Sequence, residues 1–199
     1  MFFNFFTSKP KGLIKYFNLI PFWESLSLEQ QQYLRHMYNS GLGVDPKNLT
    51  DIEIESTQSK LSFLTILIQS PKVDSDEKLF QEVINEAEDF IPQCKDIDDI
   101  HFYLQSLIIY YYKKRNNNFF YELAKKNCLR QMEIAPEVKK SFIQKYDAPL
   151  PRHYGFKQYS IILEKERKYE EAVAICNLAN DQGWSGDWSK RLENLKNYF

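Results

Sequence analysis

HYGFKQYSIILEKERKYEEAVAICNLANDQG, residues 153–183, decides the fold. Phe156, Tyr159, Ser160 and Leu163 recur at helical spacing in its first half, and Ala172, Cys176 and Ala179 do so in its second. Apolar and small residues three and four apart gather on one side of a helix. Between the two runs lies EKERKYEE, in which Glu166, Glu170 and Glu171 read as solvated residues flanking a turn. The stretch therefore predicts two antiparallel helices, with Ser160 and Ala172 small enough to let them cross closely. Neither helix can bury its apolar side alone, so such a hairpin must stack on others.

Beyond the hairpin comes GWSGDW, residues 183–188. Gly183 suits the left-handed residue that closes a helix, and Asp187 reads as the N-cap of a last helix, DWSKRLENLKNYF. Trp184 and Trp188 are expected to cover the open end of the stack, since a terminal unit would otherwise present its apolar side to solvent. The corner is read as packing, not as a ligand site.

Upstream, DIDDIHFYLQSLIIYYYKKR places Ile100, Tyr103, Leu104, Leu107 and Tyr111 on one stripe and ends in three bases at the negative end of the helix dipole. FFYELAKKNCLRQMEIA repeats the pattern with Phe120, Leu123, Ala124, Cys128 and Met132. EVKKSFIQKY forms a further segment behind Pro136, and APLPRH is a stiff link. In the first half, Ser27 and Gln30 make a capping box for SLSLEQQQYLRHMYNSGLG, whose Leu28, Leu34 and Met37 share a face and whose end is expected at Gly41. GVDPKNLTDIEIEST reads as a loop in which DIEIE could be a short strand. TQSKLSFLTILIQSP predicts a buried helix stopped by Pro71, and DEKLFQEVINEAEDFI another, stopped by Pro92, with Asp76 and Glu77 in its first turn.

The spacing in residues 153–183 resembles the tetratricopeptide (TPR) pattern W-x-x-L-G-x-x-Y…A-x-x-x-F…A. Phe156 stands in the Trp place, Ser160 in the small-residue place, and Trp184 where the pattern has Pro, so the array is expected to change course there. Ala124, Cys128 and Pro136 match the second half of a preceding, degenerate repeat, whose first helix fits only with a lengthened turn. HFYLQSLIIYYYKKR, LPRHYGFKQYSIILEKE and GWSGDWSKRLENL are also similar to phrases of small bacterial TPR-like proteins without a characterised role. The resemblance implies an all-α fold of hairpins stacked as a short right-handed superhelix over residues 96–199, with a C-terminal capping helix. Residues 1–95 are then an N-terminal helical segment packing on the array. It further implies a concave groove lined by Tyr154, Lys157, Ile161, Glu164 and Lys165 that binds a protein or peptide partner. Lys157 stands where peptide-binding relatives place a base for a carboxylate; Ile161 replaces the Asn of those grooves and favours a helix or extended segment with apolar anchors.

Composition narrows the alternatives. A chain of 199 residues can bury a substantial core, and Phe (15) and Tyr (13) are frequent while Gly (6) is scarce, which favours helices over a turn-rich β fold. The formal net charge of −1 gives the whole molecule no claim on nucleic acid or an anionic membrane. Charge is unevenly spread, at −8 over residues 74–99 and +6 over 113–145. Cys94, Cys128 and Cys176 make no CxxC and are odd in number, which points to a reducing compartment and a cytoplasmic protein. MFFNFF is too short for a signal core, and no stretch nears the about 18 apolar residues of a membrane span, although MFFNFF and FNLIPFW could dip into a bilayer surface.

Catalytic motifs do not occur, and no cofactor is implied. An enzyme is the alternative to an adaptor. It would use His101 or His153, or a metal held by Cys94, Asp96, Asp98, Asp99 and His101, although a helix start collects carboxylates without a metal. His36 and His153 read as polar or capping residues. KKRNNNFFYELAKK mixes aromatics with Lys113, Lys114, Arg115, Lys125 and Lys126, a composition suited to single-stranded nucleic acid but equally to a solvated helix corner.

Overall fold

A computed structural model describes residues 9–42, 45, 47–69 and 76–198, with side chains up to residue 37 in the first of these stretches. The chain divides into two compact units, Met1–Pro92 and Gln93–Phe199. Both are helical, and the described residues contain no strand beyond an isolated bridge between Arg152 and Ser185.

Unit 1 comprises α1 (Gly12–Tyr16), α2 (Ile20–Ser25), α3 (Leu28–Leu42), α4 (Lys47–Thr50), α5 (Lys60–Gln69) and α6 (Glu77–Phe90). The capping box forms as expected: Ser27 N–H donates to Gln30 Oε1 at 2.9 Å and Gln30 N–H to Ser27 Oγ at 3.2 Å. Leu34 and Met37 are buried, but Leu28, in the first turn, is 67% exposed and leaves the apolar stripe. Gly41 lies within the helix, which runs on to Leu42. DIEIE is not a strand. Side chains fasten it to α1 instead, through the Lys15–Glu53 pair at 2.9 Å and the Tyr16 hydroxyl donating to the Ser56 carbonyl at 2.9 Å. Asp76 caps α6 by accepting from Leu79 N–H, and Leu79, Phe80, Val83, Ile84 and Ala87 bury its inner side. A single 3-10 turn, Ile91–Gln93, follows at Pro92. MFFNFF, Pro71 and Asp74 lie outside the described residues.

Unit 2 comprises α7 (Ile97–Lys113), α8 (Asn118–Glu133), α9 (Ala135–Tyr146), α10 (Tyr154–Lys165), α11 (Tyr169–Asp181) and α12 (Trp188–Lys196). α7 and α8 form one hairpin, joined by the turn Lys114–Asn117, and α10 and α11 form the second. α8 packs on both α7 and α10, so the hairpins stack. Small residues on α8, Ala124 and Cys128, are fully buried there and permit close approach. α9 follows α8 almost without a break, carries Pro136 in its first turn where the lost N–H has no helical partner, and packs back on α7. The principal core of unit 2 runs from Ala135, Val138 and Phe142 through Phe156 and Leu163 to Ala172, Cys176, Ala179 and both corner tryptophans.

Gly183 has φ +83°, and Trp184 and Trp188 are buried. Asp187 occupies the N-cap position of α12, yet its side chain accepts no capping hydrogen bond, because φ −90° and ψ 38° do not give the extended backbone of a side-chain cap. The indole of Trp188 supplies the local bond by donating to the Trp184 carbonyl at 2.7 Å. Ser185 then ties this corner to the link before α10, its N–H donating to the Pro151 carbonyl at 3.2 Å and its hydroxyl to the Leu150 carbonyl.

Candidate functional site

α10 reaches α7 through the Lys165 ammonium, 5.5 Å from the Tyr112 ring centre, and α12 through the Glu164–Arg191 ion pair at 3.0 Å. The five residues predicted to line a groove, Tyr154, Lys157, Ile161, Glu164 and Lys165, all belong to this helix. Tyr154 and Ile161 are half-buried; Tyr154 packs against Ile108, Cys128 and Ile162, and burial raises its hydroxyl pKa. Glu164 is occupied by Arg191, Lys165 is exposed, and Lys157 is half-exposed with no ionic or hydrogen-bonded partner for its side chain among the described residues. The five positions thus differ in what each can offer a partner.

Two residues outside the predicted set join them. The Arg115 guanidinium lies 4.8 Å from the centre of the Tyr112 ring, so Tyr112 carries a cation from each of two helix ends. Its hydroxyl is buried without a hydrogen-bond partner among the described residues. Nearby acids are consumed by other bases. Glu166 is paired with Lys125 and Lys168, each at 2.8 Å, and accepts from the Tyr121 hydroxyl at 3.2 Å. Burial alone would raise the Glu166 pKa; Lys125 and Lys168 overcome this and bring it down to about 2. The same environment pushes the Tyr121 hydroxyl up to about 12, through burial first and the Glu166 charge second. YYYKKR does not tell its three tyrosines apart; the packing of α7 beside α10 puts Tyr112 next to Lys165.

The other candidates fall elsewhere. His101 and His153, separate in the sequence, meet with ring centres 4.9 Å apart, enclosed by Phe142, Phe156 and Trp184. His153 caps α10 by accepting from Phe156 N–H at 3.3 Å through Nδ1, which puts the proton of the neutral ring on Nε2. His153 Nε2 and His101 Nδ1 have no hydrogen-bond partner among the described residues. Burial lowers the His101 pKa to about 4 against the opposing Asp98 charge. His153 is lowered to about 3 by burial and by His101, with the Gln131 carbonyl opposing without making a hydrogen bond to Nε2. A cleft of about 250 Å³ opens beside them, lined by Phe102, Phe142, Tyr146 and the Ala148–Pro149–Pro151 link, but neither imidazole faces it.

Asp96 and Asp98 are turned to Lys145, at 3.0 and 2.7 Å, and hold its ammonium pKa well above the ordinary value, while the Cys94 thiol donates to the Asp96 carbonyl. No three His, Cys, Asp or Glu side chains among the described residues are placed to hold a metal ion. In the basic run, Lys114 lies over the Tyr110 and Phe120 rings and Arg115 over Tyr112, so the cations cover the aromatic faces on which bases would stack. Lys125 is committed to Glu166 and Glu122, and Lys126 is exposed. His36 is exposed on α3. No described helix is long and apolar enough to cross a membrane.

No protein-family model matches the chain, and no solved structure does. It is similar to an uncharacterised protein of Aquifex aeolicus (strain VF5), with 24% identity over 179 residues, covering 86% of this chain and 85% of that protein. That similarity is longer than either unit, so it spans residues of both.

Proposed function

We propose that unit 2 is a tetratricopeptide-like adaptor module that binds an acidic segment of a partner protein along α10, between α7 and α12. The observation that carries this reading is an imbalance of charge on one face. Arg115, Lys157 and Lys165 have no acidic partner among the described residues, whereas Glu164 and Glu166 beside them are held by Arg191, Lys125 and Lys168. A face whose acids are neutralised and whose bases are free presents net positive potential to a ligand. The half-buried Tyr154 and Ile161 lie on the same stretch of helix and supply apolar anchorage. Two stacked hairpins followed by a closing helix agree with the repeat resemblance, and the extra α9 accounts for its irregular period.

Charge reversal at Lys157→Glu with Lys165→Glu tests the reading without disturbing Ile161, whose half-buried side chain would make Asp there a folding variant. Capture from native lysate is expected to retain an acidic partner on wild type in low salt, to lose it in high salt, and to lose it on the double variant at unchanged melting temperature. Equal retention by wild type and variant would overturn the assignment of this face.

A further inference from the structure

A separate site is built into unit 1. A cleft of about 420 Å³, within the range of small-ligand pockets, is lined by Lys9, Trp23 and Glu24 of α2, Leu28 and Arg35 of α3, and Asp51 after α4. Arg35 is oriented from two directions. Its Nε–H donates to Thr50 Oγ1 at 3.1 Å, and its guanidinium carbon lies 4.9 Å from the Trp23 ring centre. Thr50 is itself fixed, donating to Asp51 Oδ1 at 2.6 Å. The terminal nitrogens of Arg35 have neither a carboxylate nor another hydrogen-bond acceptor among the described residues. A guanidinium anchored by Nε and by its face keeps its terminal N–H groups for planar recognition of a carboxylate.

The remaining ionic groups define what else the ligand carries. Lys9, Glu24 and Asp51 share the cleft with Arg35, yet none of these four pairs ionically with another, and Lys9 and Glu24 have no side-chain partner among the described residues. A phosphate or dicarboxylate would meet repulsion from Glu24 and Asp51. An uncharged ligand would leave all four charges unanswered. A molecule carrying one carboxylate and one ammonium satisfies both signs at once. Leu28, apolar and 67% exposed, stands in the lining where an apolar substituent would cover it. We infer that this cleft binds a free α-amino acid with an apolar side chain, its carboxylate on Arg35, its ammonium on Glu24, and its side chain against Leu28 and the Trp23 edge.

Titration of the full chain with L-leucine and with L-phenylalanine, followed by the Trp23 indole and Leu28 methyl resonances, tests this assignment. Saturable shifts are expected with both. N-acetyl-L-phenylalanine, which lacks the ammonium, and L-phenylalaninamide, which lacks the carboxylate, are each expected to bind at least about tenfold more weakly. Arg35→Lys is expected to weaken binding because a point charge does not reproduce the fork. Glu24→Gln, at an exposed position, is expected to weaken it as well. Absence of a saturable shift in the millimolar range, equal binding of either capped analogue, equal binding of inorganic phosphate, or undiminished binding by Glu24→Gln would each overturn it.

Discussion

Gln131 shows what a single buried side chain can hold. It is fully buried on α8, where its amide donates to the His101 carbonyl of α7 at 2.9 Å and its oxygen accepts from Gly155 N–H of α10 at 2.6 Å. One residue thereby serves a backbone group on each of two neighbouring helices. Gly155 permits the approach, since a Cβ there would lie 2.8 Å from Gln131 Oε1. Gln131→Leu preserves much of the volume but leaves the buried Gly155 N–H, in the first turn of α10, without a partner, whereas the His101 carbonyl, inside α7, keeps its helical bond. The expected loss is on the order of 1–3 kcal/mol in urea unfolding, the cost of one orphaned buried donor. Nothing in QMEIAP singles this residue out, because its partners lie 30 positions before it and 24 after it. The same holds for the Arg35–Trp23–Thr50 arrangement. Local periodicity carries no information about a polar contact made across the fold.

At the level of elements, the amino-acid order was more informative. The α10–α11 hairpin, the Ser27–Gln30 capping box and the left-handed Gly183 all depend on residues within a few positions of one another, so spacing and turn chemistry suffice to read them. Asp187 marks the limit: a carboxylate at the right position caps only if the incoming backbone is extended, and the tryptophan corner bends it otherwise. Leu28 marks another, since apolar spacing alone cannot separate a core residue from one that lines a cleft. Gly183 allows a clean test of the corner. A Cβ there would meet only Leu150 Cδ1 at an ordinary 3.9 Å, so substitution acts through the positive φ and not through a clash. Gly183→Ala is expected to cost about 1 kcal/mol and Gly183→Asn less, because Asn tolerates the left-handed region, whereas a β-branched Val should cost more than either. Thermal unfolding of the three variants measures that order.

On the scale of the whole chain, the two units each contain their own run of helices, and the relative from Aquifex aeolicus extends through residues of both. The all-α class was legible from scarce Gly and sustained helical periodicity, while the meeting of His101 and His153 was not, since they stand 52 positions apart with α8 and α9 between them. Their burial gives folding a defined dependence on pH. Both imidazoles are neutral in the folded chain down to about 4 and about 3, and in the unfolded chain only down to 6.5. Below pH 6.5 the unfolded state therefore binds more protons, so stability falls with pH through the window from 6.5 towards about 4 for His101 and about 3 for His153. The slope is about 1.4 kcal/mol per pH unit for each ring within its window. Denaturant midpoints taken from neutral to mildly acidic pH should fall steeply for wild type and less steeply for His101→Phe. Parallel curves for the two proteins would assign the acid sensitivity to other groups.

The bonds from Ser185 to Leu150 and Pro151 join the two ends of the α10–α11 hairpin. The chain thus enters and leaves this hairpin at one point, where a short parallel bridge spans Arg152 and Ser185. Tension applied along the polypeptide meets that clasp before it meets either helix. Because neighbouring parallel segments drawn apart from opposite ends slide past each other, the clasp is loaded in shear, and the hairpin behind it is shielded from force until the clasp gives way.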